Sequence, residues 1–223
     1  MNLRYDALIH QNRDVLKGAR VLDLACSEGS YSFGALHVGA AHVLGIESRE
    51  DKVVNANGHF EALGVAADRY RFIAGDVFQT LAAEKPQVDV VMCLGYLYHT
   101  LRYPELLHRI RATGAEVVII DGEVAVGNEA IVRLIEENVD MKGNATRDEY
   151  SAEKTALSGR PSVAALEKML GVYGFAIERH ADWAAIFRDN PEMTFPEYSQ
   201  GRRVTVVCRR TDDRTWHDGA SRR

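Results

Sequence analysis

At 223 residues the chain has the length for one domain with a full core. It is 46% hydrophobic and 26% charged, as ordinary globular proteins are, and a net charge of −5 with a pI near 5.9 argues against a chain built mainly to grip nucleic-acid phosphates. No apolar run reaches the roughly 18 residues of a membrane helix, the N-terminus is too polar for a secretory signal, and Cys26, Cys93 and Cys208 have neither disulfide nor metal spacing, so a cytoplasmic protein without a membrane partner is expected.

Residues 2–17 scatter Leu3, Ala7, Leu8, Val15 and Leu16 among charges, an amphipathic helix ended by Gly18. Val21–Leu24 reads as a buried strand interrupted by Asp23. The small residues Ala25, Ser27, Gly29 and Ser30 follow, and then a helix begins. A strand, a small-residue turn and a helix N-terminus make a place where a ligand comes close to backbone amides. Ala41–Ile46 is a second strand ending at Glu47. Ser48 is expected to cap a helix whose Val53, Ala56, Phe60 and Leu63 step by three and four until Gly64. Tyr70–Ala74, Val88–Cys93 and Glu116–Ile120 are three more apolar strands, ending at Gly75-Asp76, at Leu94 and at Asp121.

Beyond this point the pattern loosens. Ile131–Val139 has helical spacing, and Asp140–Arg160 is polar with little periodicity. Ser162 caps a helix carrying Val163, Leu166 and Leu170, and Phe175–Ala181 and Val204–Arg209 read as two further strands. Trp183–Gly201 is too long for a tight hairpin, and Thr211–Arg223 is a polar tail expected to be disordered. Short apolar strands alternating with helices predict an α/β fold with a parallel sheet covered on both faces. The expected organisation is a single domain over 1–210, with segments 122–160 and 183–202 as lids over the carboxyl ends of the strands.

The first turn rules out two familiar ligand classes. A nicotinamide fingerprint would want glycines where Ala25, Ser27 and Ser30 stand, and no G-K-[ST] of a phosphate-binding loop is present. What remains is V-L-D-L-A-C-S-E-G, then G-I-E, then G-D-V, then D-V-V-M-C-L-G-Y-L-Y-H, in that order over residues 20–122. In this order the stretches resemble the class I S-adenosylmethionine-dependent methyltransferases. Their usual first motif is richer in glycine; Ala25 and Ser27 depart from it but stay small. The resemblance implies a Rossmann-like sheet of seven strands, mostly parallel, with helices on both faces and an antiparallel last strand. It also implies an enzyme using S-adenosyl-L-methionine as cofactor. Asp23, Ala25, Ser27 and Gly29 would then receive the amino-acid part, and Glu47 the ribose hydroxyls. Asp76 would take the adenine amino group with Val77 against the ring, and the backbone at Cys93–Leu94 would face the ammonium. Each acid also has a plainer use: Asp23 can brace the turn, Glu47 can sit at a helix N-terminus, and Asp76 can cap a helix.

Methyl transfer to a hydroxyl benefits from a base near neutrality, and His99 and His180, both expected at the ligand-binding edge, are the candidates. Tyr98 is expected as a pocket wall or cofactor contact, and Trp183, Tyr198 and Arg203 as substrate contacts. Asp121, Glu123 and Asn128 offer oxygen ligands at the same edge, but their spacing matches no trusted metal pattern, and no metal is expected. A narrower likeness joins Gly95-Tyr-Leu-Tyr-His99 and Tyr198-Ser-Gln-Gly-Arg-Arg203 to the transferases that carboxymethylate wobble uridine in tRNA. Those proteins have a long N-terminal extension that this net-acidic chain lacks, so tRNA is disfavoured. The favoured partner is a small-molecule acceptor, oxygen before nitrogen; the alternatives are a tRNA-modifying methyl or carboxymethyl transferase and a non-catalytic cofactor-binding partner subunit. The sequence carries no sign of oligomeric state.

Overall fold

A computed structural model describes residues 3–211. The expected tail lies outside the described residues, Thr211 apart. Seven strands form one sheet: β1 (Arg20–Leu24), β2 (His42–Glu47), β3 (Tyr70–Ala74), β4 (Val90–Leu94), β5 (Val117–Glu123), β8 (Phe175–His180) and β9 (Arg203–Arg210). Their order is β3-β2-β1-β4-β5-β9-β8. Pairings among β1 to β5 are parallel, and β9 runs antiparallel between β5 and β8. The chain thus has the predicted seven-stranded, Rossmann-like α/β fold.

The fully buried runs Val21–Leu24, Val43–Glu47 and Val90–Leu94 explain why the central strands lack alternation: helices cover both faces. One side holds α5 (Val77–Glu84), α6 (Tyr103–Ala112) and α7 (Val163–Val172), packed through Phe78, Leu81, Leu106, Leu107, Leu166 and Leu170. The other side is closed by the N-terminal residues Leu8, Ile9 and Leu16 and by α3 (Ser30–His37). α4 (Glu50–Ala62) ends as expected, with Gly64 in the left-handed region at φ 69°, whereas its N-cap is Arg49 rather than Ser48. Ser162 does cap α7, accepting from Ala165 N–H at 3.1 Å.

Three expectations change. The N-terminal helix is broken into α1 (Leu3–Leu8), a 3-10 turn at His10–Asn12 and α2 (Arg13–Leu16). Its hinge is braced by Asn12, whose amide donates to the carbonyls of Ala7 and Leu8. Ile131–Val139 is not helical: it contains β6 (Val132–Asn138), which pairs with β7 (Thr155–Pro161) in a separate antiparallel hairpin inserted between β5 and α7. Finally, residues 183–202 do not form a lid. They fold as α8 (Trp183–Asp189) and α9 (Pro196–Ser199), and Trp183, Ile186 and Tyr198 bury against Leu3 and Ala7 of α1 as a third apolar cluster.

Candidate active site

The sheet order reverses between β1 and β4, and at such a switch point the connections diverge and leave a crevice at the strands' carboxyl ends. A cavity of about 310 Å³ opens there, lined by Ala25 and Ser27 past β1, Glu47 ending β2, Asp76 past β3, and Leu94 and Gly95 at the end of β4.

The turn after β1 holds Ala25, Ser27 and Gly29 at φ of 55°, 51° and 77°. The first two are side-chain-bearing residues in the left-handed region, at a cost of about 1–2 kcal/mol each. Their small size limits that cost and keeps the cavity floor open. Gly29 does not face the cavity. A Cβ there would lie 2.9 Å from Phe72 and 3.0 Å from Phe60, so glycine serves the packing of α3 against β3. Asp23 is also out of reach of the cavity: it is buried, and the Ser32 hydroxyl donates to it at 2.6 Å, tying β1 to α3. Burial pushes its carboxyl up to about 7, the Ser32 bond pulls against this, and the charge of Glu47 adds to it.

Glu47 is only 4% exposed yet lines the cavity. Its Oε2 accepts from Ser27 N–H at 3.0 Å, and its Oε1 from Arg49 N–H at 2.9 Å and the Ser48 hydroxyl at 3.2 Å. A carboxylate accepts about four hydrogen bonds. A vicinal diol can therefore take the open position on Oε2 and the one held by Ser48, whose hydroxyl can rotate away. Asp76 caps α5 by accepting from Gln79 N–H through Oδ1 at 2.9 Å, which leaves Oδ2 for an amino group. Val77 is not a cavity residue; it is buried in the core, and Phe78 is the aromatic that α5 contributes. Likewise Leu94 lines the cavity while Cys93 is buried behind it. A diol-binding carboxylate, an amine-accepting carboxylate, an aromatic wall and an open backbone turn fit an adenosine-type ligand.

A second cavity of about 320 Å³ adjoins the first and shares His99 and Thr100 with it. Residues Ala145, Thr146 and Asp148, between β6 and β7 and within the stretch 122–160 expected as a lid, border both. Arg49 anchors this stretch by donating to the Asn144 carbonyl at 3.0 Å. His99 stands at the junction, its Nδ1 2.7 Å from Glu137 Oε2. Glu137 is the one fully buried side chain of β6, and it also accepts from Ala145 N–H and from Arg160 of β7. Burial raises its carboxyl, but the bonds from His99, Ala145 and Arg160 outweigh this and hold it near 2.

The other candidates lie elsewhere. His180 is exposed at the end of the edge strand β8 and borders neither cavity, so it is withdrawn as a base. Trp183 stacks on Tyr198 at 3.7 Å and donates to the Thr205 hydroxyl, a core role rather than a substrate contact. Tyr198, Thr205, Arg4 and Arg203 all donate to Asp121, which is wholly buried. Tyr198 and Arg203 are therefore engaged in an internal ion network and line neither cavity. Tyr98 closes that network, accepting from Arg203 at 3.3 Å, and it too is buried away from both cavities. Glu137 and Arg160 were not singled out in the sequence, because they face the site only once the hairpin is formed.

A methyltransferase-domain family matches residues 16–156, which include every residue lining the first cavity. The chain belongs to the S-adenosylmethionine-dependent methyltransferases. It is 26% identical over 217 residues, 87% of its length, to a tRNA U34 carboxymethyltransferase of Alcanivorax borkumensis, of which it spans 63%. Among solved structures it is similar to an S-adenosylmethionine-dependent methyltransferase from Mesorhizobium loti, with TM-score 0.67, 17% identity, and coverage of 94% of this chain and 100% of that one. It is also similar to the 1,6-didemethyltoxoflavin-N1-methyltransferase of Burkholderia thailandensis (TM-score 0.64, 18% identity, 94% and 77% coverage). A third is the magnesium protoporphyrin IX methyltransferase of Synechocystis PCC 6803 (TM-score 0.63, 18% identity, 93% and 82% coverage).

Proposed function

We propose that this methyltransferase acts on a small-molecule acceptor, oxygen before nitrogen, with His99 as the general base. The observation that carries the reading is the position of His99 on the wall common to both cavities, with Nδ1 engaged by an ionised carboxylate. A carboxylate on Nδ1 selects the tautomer protonated there, so Nε2 is left to accept a proton.

Ala25 and Ser27 would admit the amino-acid end of the cofactor, Glu47 would hold the ribose, and Asp76 with Phe78 would hold the adenine. When bound, S-adenosylmethionine supplies a methyl carbon on a positively charged sulfur, which keeps the electron pair of the broken bond. The protein's own part is to align the acceptor, exclude water beneath 142–148 and take the acceptor's proton at His99 Nε2. Alignment of this kind is worth roughly 7–11 kcal/mol, and the base about 10²–10⁴-fold in rate.

The test pairs two variants. Glu47→Ala should weaken S-adenosylhomocysteine binding, measured by calorimetry, about ten-fold or more; unchanged affinity would remove the ribose assignment. His99→Ala should reduce turnover by about 10²–10⁴ while leaving that affinity nearly intact. Equal losses in both would make His99 structural. Acceptors are found by following labelled methyl transfer into a metabolite extract.

A second reading, transfer to tRNA, is favoured by the Alcanivorax relative. It predicts tRNA binding that falls steeply with salt, since released counterions set such affinities. The net charge of −5 argues against it.

A further inference from the structure

Resting on the assignment of His99 as the base, we propose that Arg160 is a positioning residue for the reaction. Its guanidinium fixes Glu137 against His99 and so sets which imidazole nitrogen is left to take the acceptor's proton. Arg160 borders neither cavity, so it acts on the reaction only through these neighbours.

The placement follows from the register of the hairpin. Arg133 pairs with Arg160, Ile135 with Ser158 and Glu137 with Ala156, and residues opposed in this way, two apart along each strand, share one face of a sheet. Arg160 and Glu137 stand at diagonal corners of that face, with the short side chain of Ser158 between them. The arginine runs over Ser158, whose Oγ accepts from Nη1 at 3.0 Å, and the same Nη1 donates to Glu137 Oε1 at 2.9 Å.

Two further bonds give the guanidinium a reference outside the hairpin. Nε donates to Glu123 Oε2 at 2.9 Å, at the end of β5, and Nη1 donates to the Tyr98 carbonyl at 3.2 Å. That carbonyl belongs to the peptide that carries the His99 N–H. Arg160 thus holds both the backbone from which the His99 ring projects and the carboxylate that meets its Nδ1 at 2.7 Å. A planar fork can serve Glu123 and Glu137 at once, at a fixed spacing, where an ammonium is a single point on a flexible stem. Only 14% of the Arg160 side chain and 5% of the Glu137 side chain is exposed, so water competes little for these bonds. Burial alone favours the neutral acid, and the bond from Arg160 is among those that keep Glu137 ionised.

The test reads the His99 ring directly, by nitrogen–proton NMR of the full chain carrying isotope-labelled histidine, with signals assigned by their loss in His99→Ala. Arg160→Gln and Arg160→Lys are compared with the wild type, and calorimetry with S-adenosylhomocysteine checks the fold. The wild type should hold its proton on Nδ1. In both variants the ratio of the Nδ1–H to the Nε2–H form should fall ten-fold or more, with S-adenosylhomocysteine affinity unchanged. Arg160→Lys keeps a positive charge beside the buried Glu137, so it decides the question alone if Arg160→Gln does not fold. An unchanged ratio in Arg160→Lys means that the fork does not position the pair, and the inference is overturned. Loss of S-adenosylhomocysteine binding in both variants relative to the wild type makes Arg160 structural and also overturns it. If the wild type itself carries a proton on Nε2, the base reading falls, and this inference with it.

Discussion

Under the first turn, Asp23 accepts the Ser32 hydroxyl at 2.6 Å while wholly shielded from water, and burial lifts its carboxyl from the ordinary 3.8 to about 7. A raised carboxyl means that the folded state holds the proton more tightly than the unfolded chain does. The associated stability is complete below about pH 4 and is lost as pH rises through about 7. Three pH units at ~1.4 kcal/mol each put the ceiling near ~4 kcal/mol. Asp23→Asn keeps the size and the acceptor for Ser32 but removes the titration. Urea unfolding at pH 5 and pH 8 should therefore show a stability loss in the wild type that the variant lacks. Equal pH dependence in the two proteins would place the carboxyl's titration outside this window. The same turn shows why glycine is not indispensable here: Ala25 and Ser27 hold left-handed conformations, and the hydrogen bond from Ser27 N–H to Glu47 helps keep the turn in place.

At the level of elements, the β6–β7 hairpin and the last strand each import a partner that neither holds alone. Glu137 on β6 reaches His99 only because β7 pairs in register, with Arg160 opposite Arg133 and Ala156 opposite Glu137. Glu137→Gln removes the charge but not the shape. It should lower kcat about ten-fold or more with S-adenosylhomocysteine affinity unchanged, as read from steady-state kinetics and calorimetry. β9 pairs antiparallel with β5 so that Thr205 stands opposite Asp121 and Arg203 opposite Glu123, which brings hydroxyl and guanidinium to a wholly buried carboxylate. Asp121→Ala removes the carboxylate that the buried Arg203 guanidinium pairs with, and should cost about 3–5 kcal/mol in urea unfolding. A loss under 1 kcal/mol would mean that solvent reaches the network.

Across the whole molecule, the first cavity draws on the ends of β1, β2, β3 and β4 and on the connection between β6 and β7, so ligand binding there should stabilise the domain as a unit. S-adenosylhomocysteine at a hundred times its Kd should add about 2.7 kcal/mol, or about 5–10 °C in Tm for a domain of this size, by calorimetric scanning. A Tm that does not move while calorimetry registers binding would mean that the unfolding unit is not the one holding the cavity.

The seven sheet strands were readable from the chain, because a buried run and the bend that ends it lie within a few positions of one another; Ala25, Ser27, Glu47, Asp76 and Leu94, which line the first cavity, were pointed to by the resemblance of their motifs to the methyltransferases. The β6–β7 hairpin was not readable. In β6 the apolar residues Val132 and Leu134 are exposed and the buried side chain is Glu137, so the hydrophobic spacing pointed to a helix that the pairing with Thr155–Pro161 overrides. Nor could the chain alone separate His99 from His180, or assign Trp183, Tyr198 and Arg203 to the interior. Each stands near a strand end in sequence, and whether it meets a cavity or a buried carboxylate depends on contacts made across about 20 to 200 residues. The amino-acid sequence by itself determined the α/β sheet through local patterning; the tertiary structure alone decided which side chains share the second cavity, because burial and charge pairing there are set by packing between distant segments.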